Sequence, residues 1–333
     1  MTIDLLQRAR SGDREAFAAL VAPYRSELHL LCYRMLGSLQ DAEDTLQEVL
    51  LAAWLGIAGF EERASFRTWL HRITTNRCLN ALRSSARRPA TMANALPDSL
   101  PQPSRHGEVL WLQPYPDLLL DNLQDHDAGP EARYEAREAI SLAFLTAVQM
   151  LPPNQRAVLV LRDVLGYRAA EVAGLLDLTE SAVTSALKRA RTTLESARSV
   201  QRPAPTPGSA QERELTDRFV EAFTAHDVEA LLALMTDDVW VRMPPSPFEY
   251  QGLADVHLFF TAMCARTAIA RLVPTRANGQ PAWGEYAPDP VTGALRCIGL
   301  LVARYSGDHV SELTQFETTV LPYFGLPRTL PAD

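Results

Sequence analysis

The sequence predicts a multidomain fold: two all-α modules, the second holding a helix-turn-helix, followed by an α+β domain. Three observations predict it. In residues 1–88 and 136–200 the apolar residues read as helix faces, with steps of three and four. Beyond Glu214 one such stretch gives way mainly to short β-type runs, and helices followed by strands point to α+β. Proline concentrates in two places, Pro89 to Pro130 and Pro203 to Pro207, where extended connections are expected. A length of 333 residues agrees with two or three domains. The expected boundaries are a first module at 1–88, an acidic Pro-rich linker at 89–135, a second module at 136–200, a short Pro-rich linker at 201–210 and a last domain at 211–333.

In the first module Phe17, Leu20, Val21, Tyr24, Leu28, Leu31 and Met35 share one helical face, and Gly37 ends that helix. Ser38 or Asp41 caps the next, which turns Leu46, Val49, Leu50, Ala53 and Trp54 inward before Gly56 and Gly59. Ser65 caps a third helix with Phe66, Trp69, Leu70 and Ile73 inward. The second module reads as helices over 136–150, Asn154–Asp163, Arg168–Leu176 and Ser181–Ala197. In the last domain Glu214–Leu234 reads as one amphipathic helix, Val239–Met243 as a strand and Ala254–Met263 as a short helix. Ile269–Arg276, Pro281–Tyr286, Leu295–Tyr305 and Val310–Val320 read as strands of a meander.

The most specific local signal runs from Gly166 to Arg191. Ala170, Val172, Ala173 and Leu176 form the buried face of a first helix, and Asp177-Leu178 a tight turn. Thr179 or Ser181 caps a second helix with Val183, Leu187, Ala190 and Leu194 inward. That leaves Ser181, Thr184, Ser185, Lys188 and Arg189 outward, with Arg191 in the same basic cluster. A helix-turn-helix lays the start of such a helix in the major groove, with cations near phosphates; a helical hairpin with a solvated basic face is the plain alternative. A second basic surface ends the first module. Arg72, Asn76, Asn80, Arg83 and Arg87 follow at steps of four, four, three and four and make one stripe opposite the apolar face. Arg holds phosphate bidentately and Asn reads bases through two hydrogen bonds. Phe66 and Trp69 just upstream either stack on unpaired bases or fill the core.

The net charge of -8 argues against nucleic acid only as a total. Residues 1–90 carry 12 Arg against 10 acids, and residues 136–200 carry eight bases against six acids. The linker at 91–135 holds two Arg against eight acids, and residues 201–333 hold 10 Arg against 16. The four cysteines stand far apart without zinc-like spacing, so free thiols, no metal and no cofactor are expected. No apolar run approaches the roughly 20 residues of a membrane span, and the N-terminus lacks the apolar segment of a secretory leader.

Tyr33 to Glu48, Phe66 to Asn80 and the helix-turn-helix ending Ala-Leu-Lys-Arg-Ala-Arg191 carry a family resemblance that spans most of residues 1–198. The sequence resembles an extracytoplasmic-function (ECF) sigma factor of the sigma-70 family. The resemblance implies an alternative sigma factor, cytoplasmic and non-enzymatic, with core RNA polymerase and promoter DNA as partners. Asp41, Glu43, Asp44, Gln47 and Glu48 match the family's helix that binds the largest catalytic subunit. The loop Glu61–Ser65, with Arg63, and the helix after it match the part that recognises and melts the -10 element. The helix-turn-helix matches the reader of the -35 element. This chain departs from the family at Thr184 and Ala186, where a basic residue and an Arg are common, so promoter specificity does not carry over.

The linker stretch Trp111 to Leu120 is an apolar-aromatic patch within an acidic segment. Two readings stand: it threads the polymerase, its acids mimicking nucleic acid, or it docks on the C-terminal domain of its own chain. The last domain resembles a SnoaL-like domain of cone shape, carried by Phe219 to Leu234, Thr236 to Pro245 and Tyr250-Gln-Gly. Trp240, Arg242, Met243, Phe248, Tyr250, His257, Phe259, Trp283 and Phe316 are candidate liners of a pocket for a small ligand, or simply a packed core. Asp255, His257, Arg242 and His309 are the polar candidates for an acid–base pair. The expected role is regulation in cis, through contact with the sigma domains. The alternatives are a ligand-sensing or enzymatic SnoaL-like protein fused to a helix-turn-helix regulator, and a DNA-binding regulator that never engages polymerase.

Overall fold

The computed structural model describes residues 2–85, 100–107, 111–121, 139–197 and 202–331; Arg87 lies outside them. The chain folds as two compact units, Met1–Arg88 with Leu119–Arg198, and Pro89–Leu118 with Ser199–Asp333. No helix among the described residues is long and apolar enough to cross a membrane.

The first unit is helical. It begins with α1 (Thr2–Arg10), α2 (Arg14–Val21), α3 (Arg25–Leu36), α4 (Leu39–Gly56) and α5 (Phe66–Ser85). The single helix expected up to Met35 is two, because Pro23 has no amide to donate and Ala22–Tyr24 tighten into a 3-10 turn. Asp13 caps α2 by accepting the Glu15 and Ala16 amides at 2.9 and 3.0 Å. Of the two candidate caps for α4, Ser38 does the work: its Oγ accepts the Asp41 amide at 3.1 Å. Each cap contributes about 1 kcal/mol. Leu28 of α3, Val49 and Ala53 of α4 and Leu70 of α5 close a dry core.

In the second half of this unit the expected first helix is interrupted within its described part. Helix does not run over 136–150: residues 136–138 lie outside the described ones, 139 and 140 form a turn, and Ser141 caps the helix that begins at Leu142. After the short α6 (Asp117–Asp121) come α7 (Leu142–Gln149), α8 (Pro153–Leu159), α9 (Ala169–Leu176) and α10 (Glu180–Ala197). Residues Val160–Val164 continue α8 as a wider π turn. Val158, Leu161, Val172, Val183 and Ala190 share the second core. Ala170, expected inward, is exposed, and Leu175 takes its place.

The second unit packs α11 (Ala210–Thr224), α12 (Val228–Ala233) and α13 (Leu253–Arg266) on a sheet. Its strands are β1 (Arg105–His106), β2 (Met235–Arg242), β3 (Phe248–Gln251), β4 (Arg271–Ala277), β5 (Gln280–Pro288), β6 (Leu295–Ser306), β7 (His309–Phe316) and β8 (Thr329–Leu330). They order as β1-β3-β2-β7-β6-β5-β4, with β8 on β6. From β4 to β7 the sheet is the expected antiparallel meander; β2 then joins β7 in parallel. The helix expected over Glu214–Leu234 breaks where His226 turns left-handed (φ 56) and Asp227 caps α12 by accepting the Ala230 amide. The strand expected to reach Val320 stops at Phe316, and Thr318–Phe324 winds into a 3-10 helix.

Part of the expected linker belongs to this unit. Residues 100–107 and 111–118 form a strap on the C-terminal domain, and β1 extends its sheet by pairing Arg105 with Glu249 and His106 with Phe248. Of the two readings of the Trp111–Leu120 patch, the structure shows docking for Leu112 and Tyr115, which are buried. The anchor is the β4–β5 hairpin, whose two-residue turn Asn278-Gly279 has φ of 56 and 74 at its centre. That is the backbone Asn-Gly pairs favour. Asn278 Oδ1 accepts the Tyr115 amide at 2.8 Å, and the Asn278 amide donates back to Tyr115 O at 2.9 Å. Asp117 Oδ1 accepts the Gly279 amide at 2.7 Å, while Tyr250 donates its hydroxyl to Pro101 O at 2.8 Å.

Candidate nucleic-acid interface

Three helices of the first unit present distinct outward faces. On α4, Glu43, Asp44, Gln47 and Glu48 are exposed and Asp41 is half-buried, because Leu46, Val49 and Ala53 hold the opposite side in the core. The same helix leaves Leu51 and Leu55 in solvent, 60 % and 73 % exposed. They stand near Asp44 and Glu48 at helical spacing, so this face combines acid with apolar contact surface. Sequence periodicity left both leucines off the inward face, which agrees with their exposure, but did not nominate them as contact surface.

On α5, Arg72, Asn76, Asn80 and Arg83 form the expected exposed stripe. Asn80 Oδ1 accepts from Arg83 Nη1 at 2.7 Å, and Arg72 pairs with Asp177 at 3.3 Å. Arg63 lies in the preceding loop, highly exposed and 2.6 Å from Glu61. Phe66 is not a free stacking platform. Its ring meets Tyr24, Phe60 and Trp69 at centroid distances of 5.8, 5.6 and 5.5 Å, so both α5 aromatics are packing residues at the edge of the core.

The helix-turn-helix is built as its residues dictate. Asp177 takes the left-handed conformation (φ 53) that ends α9, Leu178 packs on the core, and Thr179 Oγ1 accepts the Ala182 amide at 3.2 Å to start α10. Val183, Ala186, Leu187 and Ala190 are buried, which turns Ser181, Thr184, Ser185, Lys188 and Arg189 to solvent. Arg191 is exposed but tied down, its guanidinium on both Asp163 oxygens at 2.9 and 2.7 Å. Since Ala186 fills core, the outward face presents the hydroxyls of Ser181, Thr184 and Ser185 and the two cations Lys188 and Arg189.

The two halves of this unit are bound to each other. His71 Nδ1 and the Tyr167 hydroxyl stand 2.7 Å apart, buried. Arg156 of α8 donates to Met35 O at the end of α3 and to Gln149 Oε1, each at 2.7 Å. Burial alone pulls the Arg156 guanidinium down to about 10, which leaves it charged at neutral pH.

In the C-terminal unit a cavity with about 530 Å³ of empty space, part of it open to solvent, lies between α13 and the sheet. Of the expected liners only Phe259 reaches it. Strand alternation explains the misses: Val241 points in, so its neighbours Trp240 and Arg242 point away, and Gln315 points in, so Phe316 does not. The guanidinium groups of Arg105 and Arg242 both lie over the Trp240 ring, 5.3 and 4.3 Å from its centroid. Arg242 pairs with Glu249 at 3.0 Å and with Glu312; burial lowers its basicity, but the two carboxylates outweigh that and raise it. Phe248 packs on His106, and Met243 flanks the core. Tyr250 is fully buried against Phe259, and Trp283 against Phe219. His257 lies half-exposed, 3.9 Å from Glu229. Asp255 accepts the Ser104 hydroxyl at 2.6 Å and His309 pairs with Asp308 at 2.7 Å, so the four acid–base candidates do not converge. The titratable groups that do line the cavity are Glu285, His226 and Cys264.

Comparison with known proteins matches the same three segments. Family models match Sigma-70 region 2 at residues 20–88, Sigma-70 region 4 at residues 141–194 and a SnoaL-like domain at residues 216–293. The chain is 40 % identical over 328 residues to the ECF RNA polymerase sigma factor SigG of Mycobacterium tuberculosis, covering 96 % of this chain and 86 % of that one. It is 28 % identical to the ECF sigma factor SigW of Bacillus subtilis, over 57 % of this chain and 92 % of that one. Among solved structures, the extracytoplasmic-function sigma factor SigJ of M. tuberculosis shares the fold, with a TM-score of 0.63 at 19 % identity over 92 % of this chain and 98 % of that one.

Proposed function

Because the chain belongs to the ECF RNA polymerase sigma factors, which bind core polymerase and direct promoter recognition, we propose a division of labour among its exposed faces. The α4 face of Glu43, Asp44, Gln47 and Glu48 meets a basic surface of core polymerase, and Leu51 and Leu55 add apolar contact at its edge. Arg63 and the Arg72, Asn76, Asn80 and Arg83 stripe take the melted -10 strand. The outward residues of α10 enter the major groove at the -35 element, with Lys188 and Arg189 on phosphates and Thr184 and Ser185 at base edges. The observation that carries this reading is the α10 face itself: four buried residues orient every candidate contact to one side of a helix that follows a tight turn.

The C-terminal unit acts in cis and without catalysis. What supports the cis role is the strap of residues 100–107 and 111–118, which is part of the chain joining the two sigma modules and pairs with the C-terminal sheet through Arg105 and His106. What supports a non-catalytic role is that Asp255, His257, Arg242 and His309 lie apart, each with its own neighbour.

The decisive experiment is promoter binding and transcription by the full chain with core RNA polymerase. Lys188→Ala with Arg189→Ala weakens promoter binding across promoter sequences and lowers the slope of log affinity against log salt by up to about 2, one per lost phosphate contact. Asp44→Ala with Glu48→Ala leaves the DNA contacts in place and reduces co-purification with core enzyme. Wild-type promoter affinity and salt slope in the Lys188/Arg189 variant would refute the assigned helix.

A further inference from the structure

The cavity in the C-terminal unit carries a built polar pair that the sigma activity does not use. Glu285 of β5 is buried, 3 % exposed, and faces the cavity across the sheet surface from Gln315 of β7. Gln315 Nε2 donates to Glu285 Oε2 at 2.6 Å, over the intervening strand β6. Gly299 is the β6 residue paired with Glu285, and a Cβ there would sit 3.0 Å from Glu285 Oε2 and 3.2 Å from Gln315 Nε2. A glycine thus leaves the corridor through which the two side chains meet. Around them the walls are apolar: Phe259, Phe260, Leu301 and Leu313 among others. At the turn between α11 and α12, His226 lines the same cavity with its Nε2 buried and without a hydrogen-bond partner.

We propose that this cavity binds a small, uncharged, mainly apolar molecule bearing one carbonyl oxygen, with that oxygen accepting a hydrogen bond from the Glu285 carboxyl. The walls set the apolar body. Among the lining residues there is no Arg or Lys to receive an anion, and no second carboxylate to share a cation. A buried ammonium against one carboxyl would have to desolvate both charges. Burial pushes the Glu285 carboxyl up to about 7, against the smaller pull of the Gln315 hydrogen bond. Near neutrality much of it is therefore the neutral acid, which has one O–H to give while Gln315 supplies a donor to Oε2. The other groups about Glu285 are His226 and three groups whose neutral forms are favoured chiefly by burial: the Cys297 thiol of β6, the neighbouring Tyr286 hydroxyl and the Cys264 thiol of α13. This extends the proposed cis role by naming the class of ligand. Binding is read directly on the free protein, so its failure would leave the promoter reading untouched.

The test is a ligand-observed NMR titration of the full-length protein with 1-indanone, indane and 1-aminoindane. These three share a ring system and differ in carrying a carbonyl, no polar group or a cation. Indanone binds saturably and about tenfold tighter than indane, and aminoindane no tighter than indane. Between about pH 6 and about pH 8 the indanone affinity falls about tenfold as the acid ionises. Glu285→Gln, which keeps a neutral donor, retains indanone binding and loses its pH dependence; His226→Ala keeps it. Glu285→Leu brings indanone down to the level of indane. A thermal melt checks that each variant is folded, and should the leucine variant not fold, the Gln pH profile decides alone. Equal binding of indanone and indane, preference for aminoindane, no saturable binding of any probe, or a pH dependence that survives Glu285→Gln would each overturn the proposal.

Discussion

Glu27 ties α3 to α5 in the first module. Its carboxylate takes the Arg67 Nε–H at 2.9 and 3.0 Å and stands 3.2 Å from His71 Nε2. Burial pushes this carboxyl up, but the hydrogen bonds and charges of His71 and Arg67 outweigh it and hold it at about 2. The folded state therefore binds its proton less readily than the unfolded chain does. Its stabilisation is complete above the ordinary value of 4.5 and is lost as pH falls towards about 2. Glu27→Gln is expected to lower stability at neutral pH by about 1–2 kcal/mol, a figure reduced for the group's partial exposure. In thermal unfolding the gap between variant and wild type should close between about pH 4.5 and about pH 2; a gap that stays constant over that range would show that the ion pair contributes nothing. None of this was legible in the sequence, because the partner Arg67 lies 40 residues away. The outward set on α10 was legible, since helical period alone divides its two faces. The cavity was missed by one position at Trp240, Arg242 and Phe316. Size and aromaticity nominate such residues, yet on β2 the small apolar Val239 and Val241 take the buried face and Trp240 and Arg242 the half-buried one, while β7 is buried on both faces and its alternation does not distinguish them.

At the scale of elements the strap is the least expected feature. Prolines and acids mark residues 100–118 as a connection, and β1 is only two residues long, too short to leave a pattern. The Asn278-Gly279 turn, by contrast, is a strong hairpin signal, and the same asparagine that makes the turn holds Tyr115. Two substitutions separate these tasks. Asn278→Gly keeps the left-handed turn but removes the acceptor of the Tyr115 amide, whereas Asn278→Ala disturbs the turn as well. The glycine variant should cost about 1–2 kcal/mol and the alanine variant more. In both, limited proteolysis should begin to cut within 100–118, and the rate of transcription in vitro with core enzyme should shift from wild type. An Asn278→Gly protein cleaved in the strap but unaltered in transcription would separate the strap from any cis control. The helix breaks show the same divide between local and tertiary causes. Pro23 makes the interruption before α3 readable, while the turn at His226 carries no glycine or proline to announce it.

Across the first unit the two sigma modules are packed together, and under the proposed assignment of α5 to the -10 element and α10 to the -35 element that arrangement cannot serve both at once. The -10 and -35 elements lie about 25 base pairs apart, roughly 85 Å along the duplex at about 34 Å per turn. Arg72 of the α5 stripe nevertheless touches Asp177 in the turn before α10, at 3.3 Å. Reading both elements requires the modules to part, and the contact that resists parting is centred on Arg156. Its guanidinium spans the modules through neutral acceptors: Met35 O on one side, and Gln149 Oε1, Gln149 O and Leu151 O on the other. The Met35 carbonyl belongs to the last turn of α3, where no helical partner remains to satisfy it. Arg156→Met keeps an apolar stem that ends about where Nε stands, removes the charged head and leaves these carbonyls without their donor. The expected loss is about 2–4 kcal/mol of stability, concentrated in the packing of one module on the other. Hydrogen exchange should rise at the end of α3 and around residues 149–151 while each module keeps its own protected core. With the Arg72–Asp177 contact loosened, the free protein should bind promoter DNA more tightly than wild type, by about tenfold, in the absence of polymerase. Faster exchange at this junction together with unchanged or weaker DNA binding would show that the packed arrangement does not hold the modules off DNA.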